Sequence, residues 1–151
     1  MIEIHTRVEP PESVNISALE NTVRQTFELT HTAGPSGISL YLTDDSELQS
    51  LNKEHLGIDT PTDVLSFPIP FEDPESGEKY LGDIMISVPT AARQAESGGH
   101  ALEDEIRLLI VHGILHLLGY DHTTSKEKEA MWEIQTHILK TLEIHARPTE
   151  S

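Results

Sequence analysis

The chain has 151 residues, 36% of them hydrophobic and 24% charged, which is enough for one folded domain with a real core and too apolar for a disordered chain. A formal charge of −16 argues against wrapping nucleic acid on a broad basic face, and zero cysteines exclude disulfides and thiolate metal sites. No run approaches the ~20 apolar residues of a membrane helix, and MIEIHTRVEP lacks the apolar segment of a signal peptide, so the cytoplasm is the expected compartment.

Ile2 to Val8 alternates apolar and polar residues, as a half-buried or edge strand does. From Ser13 to Leu29, helical spacing sets Val14, Ile16, Leu19, Val23 and Phe27 on one face. HTAGPSG is a loop, and Ile38 to Thr43 alternates again. Asp44 and Asp45 suit the cap of a helix running to about Asn52. DVLSF is a second β-rich run that Pro68 and Pro70 are expected to close, with PFEDPESGEK as a turn-rich excursion. Tyr80 to Val88 is another strand, and Pro89 opens a short helix that SGGH breaks.

ALEDEIRLLIVHGILHLLGY is the longest helical candidate. Glu103, Asp104 and Glu105 in its first turn suit the positive end of the dipole. From Ile106 it is apolar on nearly every side, which predicts a central helix covered by others, with Gly119 as its stop. Thr124-Ser125-Lys126-Glu127 fits a capping box for a last helix with Ala130, Ile134, Ile138 and Leu142 inward. Trp132 and Met131 suit packing. Residues 1–147 are expected to form one domain, with 148–151 as a frayed tail. Four strands and about five helices in this order predict an α+β or mixed α/β fold.

The chemistry concentrates in VHGILHLLGYDH. His112 and His116 stand four apart, so on a helix their rings share one face. Gly119 lets the chain reverse, and His122 can swing back to complete a three-histidine site with a fourth position left for water. Nine histidines in 151 residues yield about 0.03 such triplets by chance. Three imidazoles suit one zinc ion per chain, although nickel, copper and cobalt also accept nitrogen donors. The spacing is also that of the metzincin proteases, but their general-base glutamate is replaced here by Gly113, which carries no proton. Asp121 directly precedes the third histidine, where an aspartate either orients a ligating imidazole or caps local turn amides, and Tyr120 before it either hydrogen-bonds near the site or packs as an ordinary tyrosine. Asp63 and Asp83 sit at or inside strands, where aspartate calls for a specific partner. His100 follows Gly98-Gly99, and His5, His31, His137 and His145 show no ligand spacing.

HGILHLLGYDH resembles the signature of the YbeY family, and PTDVLSF (Pro61–Phe67) and LGDIMIS (Leu81–Ser87) resemble two of its upstream segments. The resemblance implies an α+β fold with a small four-stranded mixed sheet beside the histidine helix. It implies a cytoplasmic, zinc-dependent endoribonuclease with His112, His116 and His122 as ligands. It further implies single-stranded RNA as substrate, small-subunit ribosomal RNA 3′-end maturation and ribosome quality control as roles, and ribosomal or assembly proteins as partners. Two other functions remain open: a zinc peptidase, which Gly113 disfavours, and an assembly factor whose zinc is structural. Leu56 is a departure, since family members often carry an arginine there. By charge alone, Arg93, Arg107 and Lys53 are the candidates to replace it.

Overall fold

A computed structural model describes residues 2–32 and 36–146. The expected tail at 148–151 lies outside the described residues. The elements in order are β1 (Ile2–Thr6), α1 (Ile16–Leu29), β2 (Ser36–Thr43), α2 (Asp45–Leu56), β3 (Val64–Glu72), β4 (Lys79–Ser87), α3 (Val88–Gly98), α4 (Leu102–Leu117) and α5 (Ser125–Thr141). The sheet runs β1-β2-β4-β3. β1 and β4 lie parallel to β2, and β3 pairs antiparallel with β4 as a hairpin. This is the α+β fold with a mixed four-stranded sheet that the sequence predicts, within a single domain.

Helix α4 is central because both of its sides are apolar. One side joins Ile106, Leu109, Ile110 and Ile114 to Ile38, Leu40, Ile84 and Ile86 of the sheet and to Leu19 and Val23 of α1. The other joins Leu108, Val111 and Leu115 to Met131, Ile138 and Leu139 of α5. Each fully buried aliphatic side chain stabilises the fold by about 1.5–3 kcal/mol relative to exposure. A helix clamped this way holds the residues of its last turns in fixed directions.

Several boundaries differ from expectation. Helix α1 begins at Ile16 rather than Ser13, because the Asn15 side chain caps it by accepting from Ser17 N at 2.9 Å. Helix α2 runs a turn beyond Asn52 and ends where Gly57 adopts φ 71°, a left-handed stop. Strand β3 continues through Pro68 and Pro70 to Glu72. It lies at the sheet edge, where a missing N–H costs no ladder bond, and the register shifts between Pro68 and Phe71. The excursion therefore shrinks to 73–78. On α5 Ala130 is exposed and Met131 is buried, so the inner stripe sits one residue later at that end. Trp132 is exposed, not packed.

Candidate metal centre

The last two turns of α4 carry His112 and His116, both half-buried. After Leu118 the chain turns sharply: Gly119, at φ 101°, donates to the His116 carbonyl, and Tyr120 N donates to the Leu115 carbonyl, each at 3.0 Å. The reversal brings the exposed His122 back toward the helix face. Thr124, whose side chain accepts from Glu127 N, then starts α5. Ring centroids lie 4.6 Å apart for His112 and His116, 5.2 Å for His116 and His122, and 6.3 Å for His112 and His122.

One ring nitrogen from each of the three lies within 4.8 Å of the others, and these residues could hold a metal ion. The Nε2 atoms of His112 and His116 are 3.1 Å apart. Zinc–nitrogen bonds of about 2.0–2.1 Å in a tetrahedron separate two nitrogens by about 3.3 Å, so the pair fits such an ion. Burial is the main force on both rings. It pushes the His112 pKa below its ordinary value, and it lowers that of His116 from 6.5 to about 4 with help from the neighbouring His112 and His122 rings. Asp121 and a backbone hydrogen bond with Tyr120 act the other way on His116, as Asp63 does on His112. These two rings are neutral at pH 7, as lone-pair donation to a metal requires.

A fourth residue belongs to the site and was not singled out in the sequence. Gln135 of α5 is 4% exposed, and its Oε1 accepts from His112 Nδ1 at 2.8 Å. The available signal was a polar residue inside the apolar stripe of Met131, Ile138 and Leu139.

The remaining candidates are engaged in other contacts. Asp121 Oδ1 accepts from the His122 amide at 2.7 Å, a local turn contact. Tyr120 packs against the Val111–Leu115 cluster. Asp83 accepts from the Tyr80 hydroxyl, and the carbonyl of Asp63 accepts from Ser87 N at 2.9 Å while its carboxylate accepts from Gln94 at 3.2 Å. His100 is buried against Glu105 at 2.6 Å. Among the described residues, His5, His31, His137 and His145 join no metal-competent group. Leu56 is 61% exposed. Of the cations proposed to replace an arginine there, Arg93 pairs with Asp45 at 2.8 Å. Arg107 is bound to Thr22, Asp104 and the Leu142 carbonyl, and Lys53 lies 3.8 Å from Asp59.

Fold and site together define a class: α+β domains that bring three imidazoles, two from one helix and one from the turn after it, into a group that could hold a metal ion. The model of the family described as Endoribonuclease YbeY matches residues 4–143, and the chain belongs to that family. An Endoribonuclease YbeY of Aquifex aeolicus is 51% identical over 106 residues, 70% of this chain and 69% of the relative. That of Moorella thermoacetica is 44% identical over 131 residues, covering 82% and 84%. That of a Roseiflexus species is 41% identical over 147 residues, covering 92% of each. A Thermotoga maritima protein solved in solution superposes with a TM-score of 0.59 at 30% identity, over 94% of this chain and 89% of that one. No helix is long and apolar enough to cross a membrane among the described residues.

Proposed function

We propose that the protein is a metal-dependent endoribonuclease that hydrolyses phosphodiesters in single-stranded RNA. Its setting is the cytoplasm, in 3′-end maturation of small-subunit ribosomal RNA and in ribosome quality control, with ribosomal or assembly proteins as partners. The observation that carries the reading is the convergence of three imidazoles, two of them held neutral by burial, on one small volume. The endoribonuclease name of relatives at 41–51% identity supports the choice of RNA.

His112, His116 and His122 would hold one divalent ion, zinc being favoured by an all-imidazole donor set. Bound there, the ion supplies Lewis acidity, which acidifies coordinated water toward pKa ~7 and offsets charge gathering on a phosphoryl oxygen. The protein's part is to fix the donors. Helix α4 sets two rings one turn apart, the Gly119 turn returns the third, and His122 is exposed to solvent. Gly113 counts against the peptidase reading, because it brings no carboxylate to the position after the first ligand. An assembly factor with a structural zinc is the second reading, favoured by exposed Leu56 where a phosphate clamp wants a cation.

The test compares wild type, His116→Ala and chelator-treated protein on labelled single-stranded and duplex RNA. Metal-dependent cutting of the single strand, reduced at least ~100-fold in His116→Ala, is expected. Tight association with small ribosomal subunits without cleavage would replace the proposal with the second reading.

A further inference from the structure

Gln135 is buried in a stripe of α5 whose other buried members are Met131, Ile138 and Leu139. Burying an amide among apolar groups is unfavourable unless it is hydrogen-bonded, and the bond it makes is to a ring nitrogen of the histidine cluster, 23 residues away in sequence. We infer that Gln135 is a positioning residue: its Oε1 takes the Nδ1–H of His112, fixing the tautomer and ring plane that leave His112 Nε2 as a bare donor beside His116 Nε2. The inference rests on the metal-binding reading of the three histidines.

A neutral imidazole carries one proton, and the partner of one nitrogen decides which nitrogen keeps it. With the proton on Nδ1, the Nε2 lone pair of His112 is free. With the proton on Nε2, His112 would donate across the 3.1 Å gap to His116 Nε2, and the two rings would consume each other's metal-binding capacity. A carbonyl oxygen on α5 facing Nδ1 disfavours that closed arrangement before any cation arrives. Helix α5 packs on α4 through Met131, Ile138 and Leu139, so the oxygen is held by the core rather than by a mobile surface chain.

Three measurements on the full-length protein test this. Histidine nitrogen–proton correlation spectra of the metal-free protein should show His112 protonated on Nδ1; protonation on Nε2 overturns the inference. Titration of zinc ion alone against a chromogenic chelator should show Gln135→Met binding 10- to 100-fold more weakly. Gln135→Glu keeps an acceptor at the same reach and should bind zinc at least as tightly as wild type. If Gln135→Met retains wild-type affinity, or Gln135→Glu loses as much as Gln135→Met, the residue merely packs and the inference falls. Circular dichroism of both metal-free variants should match wild type. Because no RNA enters these measurements, they can succeed while the ribonuclease proposal fails, and the reverse.

Discussion

Ser66 Oγ donates a hydrogen bond to the carbonyl of Gly113 across 3.2 Å, so edge strand β3 holds helix α4 at the residue directly after its first site histidine. The approach is close. A Cβ on Gly113 would stand 3.0 Å from Ile84 Cγ2 and 3.1 Å from both Ile84 Cδ1 and Ser66 Oγ. Position 113 therefore faces the sheet, and the glutamate of the protease signature would be driven into buried Ile84. Gly113→Ala gains about 1 kcal/mol of helix propensity but overfills a contact whose cost is about 1–3 kcal/mol. Ile84 is fully buried, so it must give by a few tenths of an ångström within a packed core. A net loss of about 1 kcal/mol is expected in urea unfolding; a raised midpoint would show that the sheet yields.

Gly82 presents the sharper constraint. Its φ is 148°, and an added Cβ would lie 2.2 Å from the carbonyl oxygen of Phe67, a backbone atom held in the β3–β4 pairing. Gly82→Ala should cost about 3 kcal/mol or more, because both the strand conformation and the pairing must change. Soluble yield and thermal unfolding check this. A variant within 1 kcal/mol of wild type would mean that the hairpin shifts register at little cost.

What the sequence disclosed and what it hid follow from the range of the interactions. His112 and His116 were legible because helical periodicity alone puts residues four apart on one face. His122 was legible because a glycine stop is a local signal. Gln135 was not, because its role exists only once α5 packs on α4, and no periodicity reports which buried polar residue faces which ring. The full length of β3 was hidden by Pro68 and Pro70, since whether a proline ends a strand depends on its place in the sheet, which is a tertiary fact. Ala130 and Met131 differ by one position, about 100° around a helix, too little for a sparse apolar stripe to resolve. The acidic first turn of α4 stands at the positive end of the helix dipole, as the sequence predicts; Glu103 also accepts from Asn15 N at 2.7 Å, a contact 88 residues away in sequence that no local signal carries.

Asp45 gives the protein an acid-sensitive joint between α2 and α3. Its carboxylate accepts from the hydroxyls of Ser87 and Thr90 and from Arg93 at 2.8 Å. Those hydrogen bonds, Ser87 first, lower its pKa from 3.8 to about 2. A carboxylate more acidic folded than unfolded adds stability above pH ~4 and loses it as the pH falls toward 2. With the side chain 32% exposed, solvent screening keeps the contribution to about 1 kcal/mol. Asp45→Asn should lower stability by about that amount at pH 7 and flatten the loss between pH 4 and 2. Parallel acid limbs in urea midpoints of the two proteins would remove Asp45 from the account.

Glu105 and His100 form a buried pair at the start of α4. Their side chains are 2% and 7% exposed and approach to 2.6 Å. The other carboxylate oxygen of Glu105 accepts from Gln94 Nε2 at 3.2 Å, and the same amide donates to Asp63 Oδ2 at 3.2 Å. The hydrogen-bonded chain thus runs from His100 through Glu105 and Gln94 to Asp63, whose charge acts on His112 against the effect of burial. Truncating Glu105 to alanine leaves the buried His100 Nε2 without its partner and Gln94 Nε2 with Asp63 alone, at a cost of about 1–3 kcal/mol. Glu105→Gln keeps an acceptor for the ring and should cost clearly less. A double-mutant cycle of Glu105→Ala with His100→Ala should show strong coupling, the double variant losing much less than the two single losses added together. Additive losses would mean that the two side chains fill space independently.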